Sequence, residues 1–217
     1  MRFQLVLCLA ILVIGNVARA DVTITIQQVG SDVVASFSGT YDVNACSLVS
    51  ASTSEAVRIN TNSALIRFGA GSSSNNPGPS LTTNPYRLDY QRYDCSFTSA
   101  PTDYGQGQFG NLANRNYVAS TGTGDRFGII NDTGFESVYI PTGAGKSGSL
   151  SGGIIFNDVT LNDLAVGIGT STYQWVSNGT QTVTINAIPE PSAFTFFGLI
   201  GVVLAGAKFR NRHRATT

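Results

Sequence analysis

Histidine is almost absent from this chain, and its absence excludes several kinds of active site. The only histidine among the 217 residues is His213, within the last five residues. Residues 1–212 therefore contain no imidazole that could activate a serine or cysteine nucleophile or ligate zinc. We predict no catalytic residues, no bound metal and no cofactor.

Charged residues are also scarce, at 12% of the chain, and their distribution argues against a nucleic-acid partner. Residues 21–188 carry seven basic and twelve acidic side chains, which gives a net charge of −5. Binding to nucleic acid requires a basic surface that faces the phosphates. We therefore predict no nucleic-acid partner.

No stretch has the apolar periodicity of an amphipathic helix, whereas several stretches alternate apolar and polar residues as strands do. Residues 22–27 and 32–38 predict one hairpin, and residues 171–186 predict another around an Asn-Gly turn. We therefore expect residues 21–187 to form an all-β fold, a single antiparallel β-sandwich with Greek-key or jelly-roll connections. Shorter strands are predicted near residues 57–59, 64–68, 86–90, 126–130, 137–140 and 153–156.

Two of the three cysteines, Cys46 and Cys95, lie in the predicted β-domain, and the third, Cys8, lies in an apolar stretch near the N-terminus. In an oxidising compartment, two cysteines in one domain are more often paired than free. We therefore favour a disulfide over two free thiols. Closing a loop of about fifty residues stabilises a fold by roughly 4 kcal/mol in the chain-entropy model.

The N-terminus has the features of a signal peptide. Met1-Arg2 is a short positive region, residues 3–15 are apolar, and Ala18 and Ala20 are small residues of the kind that signal peptidase accepts. We predict that residues 1–20 are a signal peptide and that signal peptidase cleaves between Ala20 and Asp21.

The last thirty residues, 188–217, predict a membrane anchor with an extended segment in front of it. Pro189-Glu190-Pro191 favours an extended backbone, because proline fixes φ and disfavours a helical conformation in the residue before it. Residues 192–207 are apolar and would span about 24 Å as a transmembrane helix, just enough to cross a bilayer. The basic tail, residues 208–214, predicts a cytoplasmic C-terminus with the body outside; its cations are Lys208, Arg210, Arg212 and Arg214.

This order of Pro-Glu-Pro, apolar helix and basic end resembles the PEP-CTERM sorting signal of Gram-negative bacteria that make extracellular polysaccharide. The resemblance implies that Pro189, Glu190 and Pro191 are recognised by an exosortase, a membrane-embedded protease. It implies a protein that is exported across the inner membrane, transiently anchored in it, and then placed at the cell surface or outside the cell. A plain single-span anchor on a surface protein is the alternative interpretation.

The body also loosely resembles those of other PEP-CTERM proteins, which implies a shared architecture and no particular activity. We predict a non-catalytic protein of the cell surface or biofilm matrix, either structural or glycan-binding, with extracellular polysaccharide as the expected ligand. A secreted carbohydrate-active enzyme that uses paired carboxylates is the alternative.

Two groups of residues are candidates for ligand binding in the body. Asn-Asp pairs at residues 131–132, 157–158 and 162–163 could supply oxygen ligands to calcium, or could simply form turns. Five tyrosines could stack on sugar rings if exposed, although burial is the commoner outcome; they are Tyr86, Tyr90, Tyr93, Tyr104 and Tyr117.

Overall fold

A computed structural model describes residues 20–72, 86–102, 116–132 and 134–189. The described residues form fifteen strands and no helix. The strands are β1 Asp21–Val29, β2 Asp32–Asp42, β3 Ser47–Ala56, β4 Arg58–Asn60, β5 Leu65–Phe68, β6 Gly71–Ser72, β7 Arg87–Asp94, β8 Phe97–Ser99, β9 Asn116–Val118, β10 Thr121–Gly124, β11 Phe127–Asp132, β12 Phe135–Pro141, β13 Ser147–Phe156, β14 Gly169–Ser177 and β15 Gly179–Ile188.

The strands make two sheets, which confirms the prediction of an all-β, sandwich-like fold. One sheet has eight strands in the order β6-β10-β13-β2-β1-β15-β14-β8, and the other has seven in the order β3-β7-β12-β11-β5-β4-β9. The pairings among the described strands are antiparallel, except that β1 and β15 run parallel. The predicted Greek-key or jelly-roll connection stays a prediction.

Both predicted hairpins are present, because their strands alternate apolar and polar residues at the period of a pleated sheet. In β1, Val22, Ile24 and Ile26 are buried on one face, while the residues between them lie on the other. The first hairpin turns at Gly30, whose φ of 61° is readily available to glycine. The second hairpin joins β14 to β15 through Asn178, with Ser177 opposite Gly179.

The main core lies between the two sheets and is held by aromatic side chains. The Phe37 ring of β2 lies 4.5 Å from the Phe68 ring of β5 and 5.6 Å from the Phe127 ring of β11. Near the edge of the eight-stranded sheet, Phe97 packs against Tyr173 and Trp175. Such ring pairs add to the stabilisation that burial of apolar area provides.

The seven-stranded sheet curls until β3 meets β5. Only Val57 separates β3 from β4, yet β3 pairs with β7, whereas β4 pairs with β5 and β9. Glu55 therefore reaches Arg67, with Oε2 and Nη1 2.9 Å apart. The face of this sheet that is turned away from the main core gains a small buried interior of its own, which contains Arg67, Tyr90 and Tyr139.

The first and last described residues of the body lie at opposite ends of the parallel strand pair β1 and β15. Ala20 is buried, and its carbonyl accepts a hydrogen bond of 3.1 Å from the Thr182 N–H, beside the start of β1. Ile188, the last residue of β15, pairs with Gln27 near the end of β1. The described ranges contain no helix long and apolar enough to cross a membrane.

Most of the predicted signal peptide and sorting signal falls outside the described residues. These parts are residues 1–19, Glu190, Pro191, the predicted transmembrane helix 192–207 and the basic tail with Lys208, Arg210, Arg212 and Arg214.

Candidate functional site

The best candidate for a binding site is an open polar cleft of about 280 Å³. Four separate parts of the chain form it: the turn between β4 and β5, the segment after β8, the end of β11 and the start of β12. Its described lining residues are Asn62, Thr102, Asn131, Asp132, Gly134 and Glu136.

Hydrogen bonds to neighbouring segments hold the polar side chains of the cleft in place. Asp132 Oδ2 accepts a hydrogen bond of 2.8 Å from the Ser63 hydroxyl, and Asn131 Nδ2 donates one of 2.7 Å to the Pro101 carbonyl. Glu136 Oε2 accepts one of 2.8 Å from the Phe97 N–H. A ligand would therefore meet groups that are already oriented, which lowers the entropic cost of binding.

The chemistry of the cleft suits hydroxyl-rich ligands. Two carboxylates, two amides and one hydroxyl can accept or donate hydrogen bonds, and no cation is among the described lining residues. The volume lies just below the range of drug-sized pockets, about 300–1,000 Å³, so it fits a small ligand or one unit of a polymer. An anionic ligand would be repelled by Asp132 and Glu136.

The three Asn-Asp pairs are not brought together. Asn131 and Asp132 line the cleft, but the Asp158 N–H donates to Asp32 Oδ1, and Asp163 Oδ2 accepts from the Thr160 N–H and hydroxyl. The second and third pairs thus form turns, which is the alternative stated above. Among the described residues, no three acidic, cysteine or histidine side chains are grouped to hold a metal ion.

Tyr90, Tyr93 and Tyr117 are buried, the commoner outcome for such residues, so their rings are not exposed for stacking on sugars. Tyr90 donates a hydrogen bond of 2.8 Å to the Phe68 carbonyl, and burial raises the pKa of its phenol well above the ordinary value. Tyr86 is half-buried and donates to the Gly69 carbonyl. Tyr104 lies outside the described residues.

Cys46 and Cys95 form a disulfide, with their Cα atoms 4.7 Å apart, so the pairing predicted from the sequence is confirmed. Both cysteines are buried. The disulfide also adjoins the cleft, because the Cys95 N–H donates a hydrogen bond of 3.0 Å to the Glu136 carbonyl. Glu136 is therefore held twice, through its backbone by Cys95 and through its carboxylate by Phe97.

Sequence reasoning identified only part of this site. Asn131 and Asp132 were candidates because of their residue types, whereas Asn62, Thr102 and Glu136 carry no local signal. Pairing of β11 with β5 and β12, and hydrogen bonds from the segment around β8, bring these residues together, and neither the pairing nor the resulting neighbours can be read from spacing. Comparisons with protein-family models, with curated proteins and with solved structures gave no match to this chain.

Proposed function

We propose that this chain is a non-catalytic exported protein, sorted to the cell surface or extracellular matrix by its C-terminal signal, and that its polar cleft binds extracellular polysaccharide. The observation that carries the export proposal is the buried Cys46–Cys95 disulfide, because disulfides persist in oxidising compartments and are rare in the cytosol. The signal peptide at residues 1–20 and the tail at residues 188–217 agree with it.

The position of the tail supports processing after the body has folded. β15 ends at Ile188, and Pro189-Glu190-Pro191 follow at once, so the proposed exosortase motif starts where the sheet stops. Signal peptidase removes residues 1–20, residues 192–207 hold the body at the membrane, and an exosortase-like membrane protease then cuts near Pro189-Glu190-Pro191.

We expect the mature protein in an exosortase-containing host to lack both ends. Mass spectrometry of the secreted or surface fraction should give a chain that starts at Asp21 and lacks residues 208–217. A chain in which Pro189 and Glu190 are replaced by alanine should keep the tail and remain in the membrane fraction. If the unaltered protein also keeps residues 208–217 at steady state, the plain single-span anchor is the correct interpretation.

The cleft is the part of the body that supports glycan binding. Its hydrogen-bonding groups match the hydroxyls of a sugar, and its two carboxylates, together with the net charge of −5 of residues 21–188, favour a neutral polysaccharide over an acidic one.

Binding to neutral polysaccharide should weaken about tenfold or more when Glu136→Gln or Asp132→Asn is introduced, because each change replaces a charge-assisted hydrogen bond to a sugar hydroxyl with a neutral one. Both amides can still accept from Phe97 or Ser63, so the fold should persist. Affinity electrophoresis or a glycan array measures the effect. Asp89→Asn, at an exposed position of β7, is the matched control and should bind normally.

A secreted glycoside hydrolase is the second candidate, because Asp132 and Glu136 are two carboxylates in one cleft, as such enzymes require. Release of reducing sugar from the same polysaccharides separates the two functions. Binding without release supports the binding protein. Release that disappears in both Asp132→Asn and Glu136→Gln supports the enzyme.

A further inference from the structure

The end of the eight-stranded sheet from which the tail leaves has an exposed apolar surface. Three large aliphatic side chains are unusually open there: Val29 is 50% exposed, Ile168 is 47% exposed and Ile188 is 41% exposed. We call these three residues the exit patch. Exposed apolar groups that cluster at one place on a protein mark contact sites more often than isolated ones do.

Strand register places the three residues together. Ile188 pairs with Gln27 of β1, and Val29 lies two residues further along the same face of that strand. On the other side of β15, Ala187 pairs with Gly169, so Ile168 lies beside Ile188. Neighbouring strands are about 4.8 Å apart, so the exit patch runs from the end of β1 across the end of β15 to the residue just before β14.

Among the described residues, the acidic side chain that register places next to the exit patch is held by hydrogen bonds. The nearest carboxylate by register is Asp32, opposite Val29, and its Oδ1 accepts hydrogen bonds from the Asp158 N–H and the Ser31 hydroxyl. The opposite end of the sheet is different: Asp42 there accepts hydrogen bonds from the side chains of Ser177 and Asn178. Of the exposed large apolar side chains among the described residues at the two ends of this sheet, three therefore lie where the tail leaves, and one, Val176, lies at the other end.

The tail sets the distance between this end and a membrane. Only residues 189–191 separate β15 from the start of the predicted transmembrane helix at Ser192. Three extended residues span at most about 10 Å. While the tail is in the bilayer, Ile188 is therefore held within about that distance of the lipid headgroups, and Val29 and Ile168 lie next to it.

We infer that the exit patch rests on the lipid surface while the tail is uncut. This inference depends on the proposed membrane-anchored stage and adds the orientation of the body to it. Val29, Ile168 and Ile188 insert at the boundary between headgroups and acyl chains, as the apolar side of an interfacial segment does. Because this contact is apolar, it needs no anionic lipid. The net negative charge of residues 21–188 gives no electrostatic attraction to such a lipid.

Site-specific fluorescence of residues 21–217, the chain expected after removal of the signal peptide and before the tail is cut, tests this orientation in phosphatidylcholine vesicles. Cysteine replaces Val29, Ile168 or Val176 one at a time, and each new cysteine carries an environment-sensitive dye. Val176 is the matched control, because it is 59% exposed and lies next to the β14–β15 turn at the opposite end of the same sheet. Near-ultraviolet circular dichroism of the buried Trp175 verifies folding.

A quencher attached to the lipid chains should quench the dyes at positions 29 and 168 at least threefold more than the dye at position 176. Adding Ile188→Asp should reduce the difference. Equal quenching at all three positions in a chain that floats with the vesicles overturns the inference and leaves the membrane anchor intact. Preferential cross-linking of two chains through position 168 without lipid quenching also overturns it, in favour of a self-association surface. A chain that does not float with vesicles overturns both the inference and the proposed anchor.

Discussion

Glu55→Gln is expected to lower the free energy of unfolding by about 3 kcal/mol, because it removes the only carboxylate in contact with a buried guanidinium among the described residues. Arg67 is 3% exposed and Glu55 is 26% exposed. Removing one partner of a buried pair leaves the other charge without compensation, which costs about 3–5 kcal/mol. Since Glu55 is partly open to solvent, the lower end of that range applies.

The surroundings of Arg67 explain why the effect is large. Nη1 lies 2.9 Å from Glu55 Oε2 at an angle outside the hydrogen-bond range, Nη2 donates to the Tyr139 hydroxyl at 3.1 Å, and the guanidinium carbon lies 4.4 Å from the Tyr139 ring centre. Within the described ranges, Nε has no hydrogen-bond partner. The ion pair is therefore the main compensation for burying this charge.

A second arginine depends on the same carboxylate. Register places Arg58 of β4 opposite Arg67, since Ile59 pairs with Ile66. Burial lowers the pKa of Arg58, the charge of Arg67 lowers it further, and Glu55 acts in the opposite direction. Glu55 thus offsets two guanidinium charges, and its loss leaves the repulsion between them without compensation.

Urea unfolding followed by tryptophan fluorescence measures the effect, since Trp175 is the only tryptophan and is buried. Asp125→Asn is the matched control: it makes the same acid-to-amide change at an exposed residue that accepts the Ser151 N–H, and it should cost less than about 1 kcal/mol. The paired change Glu55→Leu with Arg67→Met should cost less than Glu55→Gln alone, because it replaces both partners of the buried pair and also removes the Arg67 charge that acts on Arg58. Equal losses in Glu55→Gln and Asp125→Asn would contradict the assigned role of Glu55.

The sequence predicts the strands that bury one face, and it does not predict strands that are held mainly by backbone pairing. β1, β2, β14 and β15 alternate residues because one face is buried and the other is not, so their pattern is visible. The sequence pattern does not predict β3, because most of Ser47–Ala56 is small, polar and exposed; the strand is held by pairing with β7. The backbone pairing that defines it leaves no mark on side-chain polarity.

β13 shows the same limit in another form. The sequence predicts a strand only at residues 153–156, whereas the strand begins at Ser147 and pairs along its whole length with β2. Gly152 lies inside this strand, where there is no room for a side chain. A Cβ at that position would come within 2.8 Å of the Phe37 ring and 2.6 Å of the Thr123 carbonyl. A glycine that reads as a turn in isolation is there a position of close packing.

The buried interior of the curled sheet could not have been predicted for a related reason. Arg67 reads as an exposed residue of a half-buried strand, yet both faces of Leu65–Phe68 are buried. Gly128 lies between Arg67 and Tyr139 in the sheet, and a Cβ there would come within 2.8 Å of the Arg67 stem. The burial of Arg67 results from the curl of β3 onto β5, which is a long-range contact.

Replacing both Cys46 and Cys95 with alanine is expected to lower the free energy of unfolding by about 4 kcal/mol. The disulfide closes a loop across a sequence separation of 49 residues, and the chain-entropy model assigns a loop of this size roughly that value. For a domain of this size, a loss of 4 kcal/mol lowers the Tm by about 10 °C. Differential scanning calorimetry measures it.

The disulfide should also affect the cleft, which gives a second and independent result. The Cys95 N–H holds the Glu136 carbonyl at 3.0 Å, and the Phe97 N–H two residues later holds the Glu136 carboxylate. Releasing Cys95 from Cys46 loosens both anchors, so binding of neutral polysaccharide should weaken well below the unfolding temperature, in parallel with Glu136→Gln.

Cys8→Ala is the matched control for this experiment, because Cys8 lies in the predicted signal peptide and should be absent from the mature protein. It should change neither the Tm nor binding. A double variant of Cys46 and Cys95 that melts within about 2 °C of the unaltered protein would show that pairing between the strands holds this loop without the covalent bond. A variant that loses stability and keeps full affinity would separate the disulfide from the cleft, and Phe97 would then be the anchor of Glu136 that matters for binding.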